Sequence, residues 1–184
     1  MTTPTAPQPA DTTATADAAL ARAWSVLEAV PDPEIPVVSI RELGILRDVR
    51  RADDGQLEVV ITPTYSGCPA MAEMRADVAA RLAAAGYERV EIRTVLDPPW
   101  TSDWITPAGR RKLTEHGIAP PGAAPRRPAG PVPLVLTTTR RAAVPCPRCG
   151  SADTEETSRF AATSCKALWR CRACLEPFEY VKEI

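Results

Sequence analysis

Four cysteines near the end of the 184-residue chain form two pairs, Cys146 with Cys149 and Cys171 with Cys174, in the pattern C-x2-C-x21-C-x2-C. Each C-x2-C places two thiolates on one tight turn. Two such turns supply the four soft ligands that a tetrahedral Zn²⁺ takes at about 2.3 Å. Because four protein ligands leave no open position for water, the spacing predicts a structural zinc site.

The residues around these cysteines predict a zinc ribbon over residues 144–184. So short a segment has few apolar side chains, and metal binding would therefore supply most of its folding free energy. Two other interpretations of the cysteine pairs are weaker. A redox pair needs a βαβ setting that this polar segment lacks, whereas an iron–sulfur cluster could use the same four thiolates. Cys165 is surplus to the set, and it is either a thiol that packs on the ribbon or an alternative ligand.

Charge and composition exclude several classes of protein. The net charge is -1, from 22 basic and 23 acidic side chains, which gives no reason to expect nucleic acid as a partner. No apolar run approaches the roughly 20 residues that span a bilayer, so we expect no membrane segment. Residues 1–16 contain no Lys, no Arg and no apolar block. They predict a disordered tail rather than a secretory signal. We therefore expect a reducing, cytoplasmic compartment, in which cysteines are metal ligands or free thiols.

Hydrophobic periodicity and turn residues predict an α+β domain over residues 17–118, with the element order α-β-β-α-β-α. The predicted helices and strands cover, in order, 17–29, 45–50, 57–62, a helix from residue 69 to about 85, 90–96 and 106–117. Residues 119–143 are rich in proline and predict a semi-rigid linker between the domain and the ribbon.

Cys68 stands alone in the stretch Thr64-Tyr-Ser-Gly-Cys68-Pro69, between a predicted strand and a predicted helix. Proline favours the first helical turn, so Cys68 is expected at or near the N-cap, where the helix dipole would lower the pKa of its thiol. The alternative is that Cys68 packs as a small hydrophobic residue. Cysteine hydrolases need a histidine base. The one histidine, His116, ends a predicted helix, where it is better explained as a partner of the helix dipole.

Asp32 and Glu34 lie in the proline-stiffened loop Pro31-Asp-Pro-Glu-Ile-Pro36. Proline limits the directions in which both carboxylates can point. We expect the two carboxylates to handle a metal or a cluster together with Cys68. For Asp32, the alternative is a cap on the turn that ends the first helix.

Several stretches resemble known families. The proline loop, Leu43-Gly44 and the Cys68 stretch resemble the small domain of SufT-type iron–sulfur assembly factors and cytosolic iron–sulfur targeting proteins. The Cys68 stretch, LDPPWTSDWIT (96–106) and SCKALWRCRACLEPFEY (164–180) are similar to the PaaD family of phenylacetate degradation. Members of that family often carry a further cysteine where this chain has Glu183, and the four paired cysteines are a sufficient ligand set without it.

The resemblance implies an accessory role in the multicomponent monooxygenase that epoxidises phenylacetyl-CoA. The chain would help to load iron or an iron–sulfur cluster into the oxygenase or the reductase, and Cys68, Asp32 and Glu34 would form the working cleft. The sequence offers no nucleotide motif and no di-iron Glu-x-x-His pattern, so the chain is not expected to be an enzyme by itself. A single thiol cannot complete a cluster, which makes a homodimer the simplest way to supply more ligands. The competing hypotheses are a purely structural subunit that docks through the ribbon, and an independent nucleic-acid module.

Overall fold

The computed structural model describes residues 12–125 and 143–184, with side chains from residue 17 onward. Within these ranges the chain forms three α-helices, seven β-strands and one 3₁₀ turn (Ser102–Trp104). The elements in order are α1 (Thr12–Glu28), β1 (Leu46–Arg51), β2 (Leu57–Ile61), α2 (Met71–Ala84), β3 (Val90–Thr94), α3 (Pro107–Glu115), β4 (Ile118–Ala119), β5 (Thr154–Ser158), β6 (Lys166–Cys171) and β7 (Pro177–Val181).

The amino-terminal part has the predicted mixed α+β architecture. Its helix α1 begins at Thr12, five residues before the predicted start, so residues 12–16 belong to this helix. The rest of the predicted tail lies outside the described residues. Ala23 and Leu27 are fully buried on α1, and this face of the helix packs into the core of the first module. No helix among the described residues is long and apolar enough to cross a membrane.

Three strands form the first sheet in the order β1-β2-β3. Gly55 has φ +82°, which suits the tight connection of the antiparallel pair β1 and β2. β3 pairs with β2 in parallel, since α2 carries the chain back across the sheet. Buried side chains of β1, β2 and all three helices make one apolar core.

The ribbon forms a second sheet in the order β4-β7-β6-β5. Trp169 and Tyr180 pack edge to face in its core, with ring centroids 6.0 Å apart. Leu175 instead remains 60% exposed. The strand β4 does not come from the ribbon segment at all. It directly follows α3, and Ala119 pairs with Tyr180 in parallel.

The two modules are therefore packed against each other. Val181 of β7 belongs to the core of the first module, and Ala119 belongs to the core of the ribbon. Residues just after β4 are also anchored. The Gly122 N–H donates to Glu183 Oε1 at 3.2 Å, and the Ala124 N–H donates to an oxygen of Asp103 at 3.0 Å. The first residues of the predicted linker are thus held in place, and residues 126–142 lie outside the described part of the chain.

Candidate functional site

The four paired cysteines converge at one end of the ribbon. The Sγ atoms of all four lie within 4.8 Å of one another. The Sγ distances are 3.8 Å between Cys146 and Cys174, and 3.6 Å between Cys149 and Cys171. A tetrahedral ion with metal–sulfur bonds of about 2.3 Å requires sulfur–sulfur distances of about 3.8 Å. The thiols therefore have the donor type and spacing of a four-thiolate metal site.

Backbone amides favour the thiolate form of one member of this cluster, Cys171. The Cys174 N–H points at the Sγ of Cys171 at 3.5 Å. Hydrogen bonds from the backbone of Cys174, and then of Ala173, lower the pKa of Cys171 to about 7. Hydrogen bonding to the charged form has this effect on any acid. Cys171 is therefore prepared to give up its proton to a metal.

A second group of reactive side chains lies where the ribbon packs on the first module. A narrow cleft of about 20 Å³, room for about one water molecule, separates the two parts there. Its polar lining comprises Asp32, Glu34, Thr64, Cys68 and Cys165. The other walls are mainly apolar and include Trp100, whose indole N–H donates to the carbonyl oxygen of Leu43 at 2.9 Å. The three residues predicted to share a cleft are thus brought together.

Asp32 is buried and acts as a turn cap. Its Oδ1 accepts the N–H of Glu34 at 3.0 Å and that of Ile35 at 2.7 Å, as the alternative interpretation of this residue predicted. Burial raises the pKa of Asp32, although those two backbone hydrogen bonds and the charge of Lys166 act in the opposite direction. Capping and metal handling are compatible roles, because the cap uses only one carboxylate oxygen.

Glu34 is half-buried and reaches the ribbon. Burial, and then the nearby charge of Asp32, raises the pKa of Glu34, while a hydrogen bond with the Thr163 side chain lowers it. Thr163 Oγ1 in turn lies 3.1 Å from the Sγ of Cys165. A hydrogen-bonded path therefore joins the acidic loop to a thiol of the ribbon.

The predicted acidity of Cys68 is wrong. The N-cap of α2 is Ala70, so Cys68 lies two residues before the cap, where little of the helix-dipole effect remains. Burial raises the pKa of Cys68, and the charges of Glu34, Cys165 and Asp32 raise it further, against a hydrogen bond from the Ala70 N–H. An environment rich in acceptors disfavours a further negative charge.

Cys165 is the member of the cleft that sequence reasoning missed. It directly precedes β6 and is 9% exposed. Burial, and then the charge of Glu34, raises the pKa of its thiol, although a hydrogen bond with Thr163 and the charge of Lys166 act against this. The signal available in the sequence was only that Cys165 is surplus to the ribbon ligands, and nothing in the spacing linked it to Cys68.

His116 does not join the cleft. It is the C-cap of α3, and its Nδ1 lies 2.8 Å from the carbonyl oxygen of Lys112 in the same helix. The position agrees with the prediction of a helix-end residue. His116 is exposed, and it is not among the residues that line the cleft.

Two family models match the two modules. One, described as iron–sulfur cluster assembly protein, matches residues 20–94, which contain Asp32, Glu34 and Cys68. The other, described as PaaD zinc beta ribbon domain, matches residues 131–182, which contain all five cysteines of the ribbon.

One relative is similar over most of the chain, and two others are similar over about half of it. An Escherichia coli (strain K12) protein whose name describes it as one of the subunits of a 1,2-phenylacetyl-CoA epoxidase is 41% identical over 86% of this chain and 90% of its own. The Fe-S protein maturation auxiliary factor YitW of Bacillus subtilis (strain 168) is 37% identical over 42% of this chain and 76% of its own. Among solved structures, the crystal structure of a domain of unknown function, DUF59, from Bacillus anthracis superposes with a TM-score of 0.50 and 27% identity, covering 55% of this chain and 96% of that one.

Proposed function

The chain belongs to the PaaD family, and from that premise we propose that it is an accessory maturation protein of a phenylacetyl-CoA epoxidase. It assists the loading of iron or an iron–sulfur cluster into the oxygenase or the reductase component. It acts in the cytoplasm and does not catalyse the epoxidation itself. The relative named as part of an epoxidase supports the pathway, and the relative named as a maturation factor supports the activity.

The observation that carries the proposal is the convergence of Cys68, Asp32 and Glu34 on one cleft. All three lie in the segment that matches the iron–sulfur assembly family. A thiolate binds iron strongly, and the carboxylates can neutralise the charge of the arriving ion. A cleft that is partly open and lacks a complete preformed ligand set suits a cargo that must leave again.

We assign the four-cysteine site of the ribbon to zinc with a structural role. The thiolates of Cys146, Cys149, Cys171 and Cys174 form a closed set, and the match to a zinc ribbon family supports the same ion. Four protein ligands leave no place for substrate. The zinc then stabilises β6, which Cys165 directly precedes, and β7, which carries Val181, against the first module.

The test is a co-expression experiment with the oxygenase and reductase components. They are produced with the wild-type chain, with Cys68→Ala, with Ser66→Ala or without the chain. Ser66 is exposed in the same loop, so Ser66→Ala controls for a change in the loop that leaves the thiol in place. The readouts are iron per purified partner and turnover of phenylacetyl-CoA.

We expect wild type and Ser66→Ala to restore both readouts, and Cys68→Ala to restore less than about one tenth of the iron. Equal iron in all four preparations would contradict the maturation role. If Cys68→Ala restores both iron and turnover, and only the absence of the chain lowers turnover, the chain is a structural subunit.

The structural alternative has one observation in its favour. Leu175, between the second cysteine pair and β7, is 60% exposed and has φ +65°, and Phe160 is 59% exposed on the β5–β6 connection. Aromatic side chains are enriched in protein–protein interfaces, and a partner that docks on the ribbon would bury both of these residues. Stable copurification of partner components with Cys68→Ala, lost in Leu175→Asp, would support it.

A further inference from the structure

The cleft contains two thiols from different modules. Cys68 comes from the loop before α2, and Cys165 comes from the ribbon, immediately before β6. The two residues are 97 positions apart in sequence, the difference between 165 and 68. The fold brings both thiols to the same cleft of about 20 Å³. Burial, and then the charges of both thiols, raises the pKa of the neighbouring Tyr65, so the two thiols share one electrostatic environment.

The position of Cys165 is fixed by the backbone around it. Its carbonyl oxygen accepts the Lys182 N–H at 2.9 Å, beside the pairing of Lys166 with Val181 between β6 and β7. Its Sγ lies 3.1 Å from Thr163 Oγ1. Cys165 is therefore held at the start of β6, a strand that is paired on both sides within the ribbon sheet.

The charges around the two thiols favour a cation. Asp32 and Glu34 line the same cleft. The positive charge of Lys166 acts on both carboxylates, and its Nζ is already 2.8 Å from Glu179 Oε2. Two carboxylates and two thiols thus surround a small volume with one basic group that is already paired. A divalent ion that replaces two thiol protons leaves the net charge of the cleft unchanged, and the two carboxylates offer it further oxygen ligands.

The ligand types indicate which cations can bind. Thiolates select soft and borderline ions and exclude Mg²⁺ and Ca²⁺, while carboxylates are harder ligands that iron accepts together with thiolate. Among the described residues, the four ribbon cysteines are the only group of three or more potential ligands whose side chains stand close enough together to hold an ion. The four side chains of the cleft do not form such a group, so an ion bound there has to draw them together.

We propose that Cys165 is the second thiolate of the cargo site, so that Cys68 and Cys165 of one chain hold an iron ion, free or in a cluster, beside Asp32 and Glu34. This inference rests on the proposed function and deepens it. In the simplest step Fe²⁺ binds both sulfurs and two thiol protons pass to solvent, with no change of oxidation state. The expected homodimer is then not needed to supply a second thiol.

Iron uptake by the purified full-length chain, with its ribbon zinc in place, tests the proposal. The reduced protein is mixed without oxygen with Fe²⁺ in one arm and with a preformed glutathione-bound [2Fe–2S] cluster in the other, and is then desalted. Iron and zinc per chain are measured for wild type, Cys68→Ser, Cys165→Ser and the control Thr157→Ala. Thr157 is an exposed residue of β5 and is not among the residues that line the cleft.

We expect wild type and Thr157→Ala to retain iron, and each cysteine variant to bind at least about tenfold more weakly while keeping one zinc per chain. The arm in which iron is retained identifies the form of the cargo. Wild-type affinity in Cys165→Ser, or no iron in wild type in either arm, would overturn the proposal. The maturation role is tested separately, by the iron content of the co-expressed partners. A chain that carries iron on Cys68 alone therefore gives a different result from a chain that binds iron but does not deliver it.

A measurement on the unaltered chain guards against a variant that fails to fold. Iodoacetamide is added to wild-type protein with and without bound iron, and modification of each cysteine is followed by peptide mass spectrometry. Bound iron should protect Cys68 and Cys165 together, by at least about tenfold. Protection of Cys68 alone would overturn the two-thiol site.

Discussion

At the scale of single residues, the thiol of Cys68 shows how tertiary surroundings override a local rule. The sequence places it just before a helix, where an isolated peptide would favour the thiolate. In the folded chain, burial and the carboxylates of Glu34 and Asp32 raise its pKa instead. A thiol that keeps its proton until a cation arrives is protected from oxidation while the cleft is empty.

Replacing Glu34 with Gln should make Cys68 more reactive. The Glu34 carboxylate disfavours a second negative charge nearby, so its removal lowers the pKa of Cys68 and increases the thiolate fraction at any pH below that pKa. We expect alkylation of Cys68 by iodoacetamide at pH 8 to be several-fold faster in Glu34→Gln, and its pH midpoint to move down.

Glu28→Gln is the matched control, since Glu28 is an exposed carboxylate at the end of α1, outside the cleft. An alkylation midpoint for wild-type Cys68 below that of a free cysteine would contradict the raised pKa.

The residues of the candidate site were predictable in part. Asp32, Glu34 and Cys68 stand out because proline loops and strand-to-helix junctions place side chains in defined positions. Cys165 did not stand out, because its partners are distant in sequence. The direction of the Cys68 pKa shift could not be predicted from the sequence either, because it depends on which charged side chains the fold places near the thiol.

At the scale of elements, the Leu43-Gly44 turn shows why one small residue is required. Gly44 has φ +70°, and a Cβ there would lie 2.6 Å from Trp104 Cβ and 2.8 Å from the Trp104 carbonyl oxygen. The Leu43 carbonyl accepts the Trp100 indole N–H. This turn therefore fixes the 3₁₀ segment and one wall of the cleft, which gives a physical reason for the glycine at this position.

Gly44→Ala should destabilise the protein more than Gly86→Ala. Both glycines have positive φ, +70° and +89°, but nothing lies within 4 Å of a Cβ at Gly86. The backbone strain of about 1–2 kcal/mol is common to both variants, and Gly44→Ala adds a steric clash with Trp104. We expect a loss of about 3 kcal/mol or more in the free energy of unfolding for Gly44→Ala, measured by urea denaturation. Equal losses in the two variants would show that the turn can move away from Trp104.

Most elements of the first module can be predicted from local sequence patterns. The helix and strand periods, the turn at Gly55 and the proline at the start of α3 all act within a few residues, so they are readable from sequence. The strand β4 is not, because two residues carry no periodicity. It exists only because β7 lies beside it.

At the scale of the whole molecule, the ribbon and the first module share strands, core residues and the cleft. Zinc in the ribbon should therefore control access to Cys68, even though the four zinc ligands line a different site. Removing zinc with a chelator is expected to unfold β5–β7 and withdraw Cys165 and Val181 from the cleft.

Alkylation of Cys68 should then become at least about tenfold faster, as peptide mass spectrometry would measure. The same chelator added already saturated with zinc is the control, and helical circular dichroism from the first module should remain. Loss of zinc with no change at Cys68 would mean that the ribbon does not cover the thiol.

The order in which the chain is synthesised gives the β4–β7 pairing a further consequence. Cys68 leaves the ribosome long before Lys182, whose N–H holds the carbonyl of Cys165, and before β7 can join β4. The cleft is thus completed last, after translation has reached the final strand and the ribbon has captured its own ion. A nascent or zinc-starved chain would expose one thiol without its partner. Uptake of iron would then be conditional on the cellular supply of a different metal.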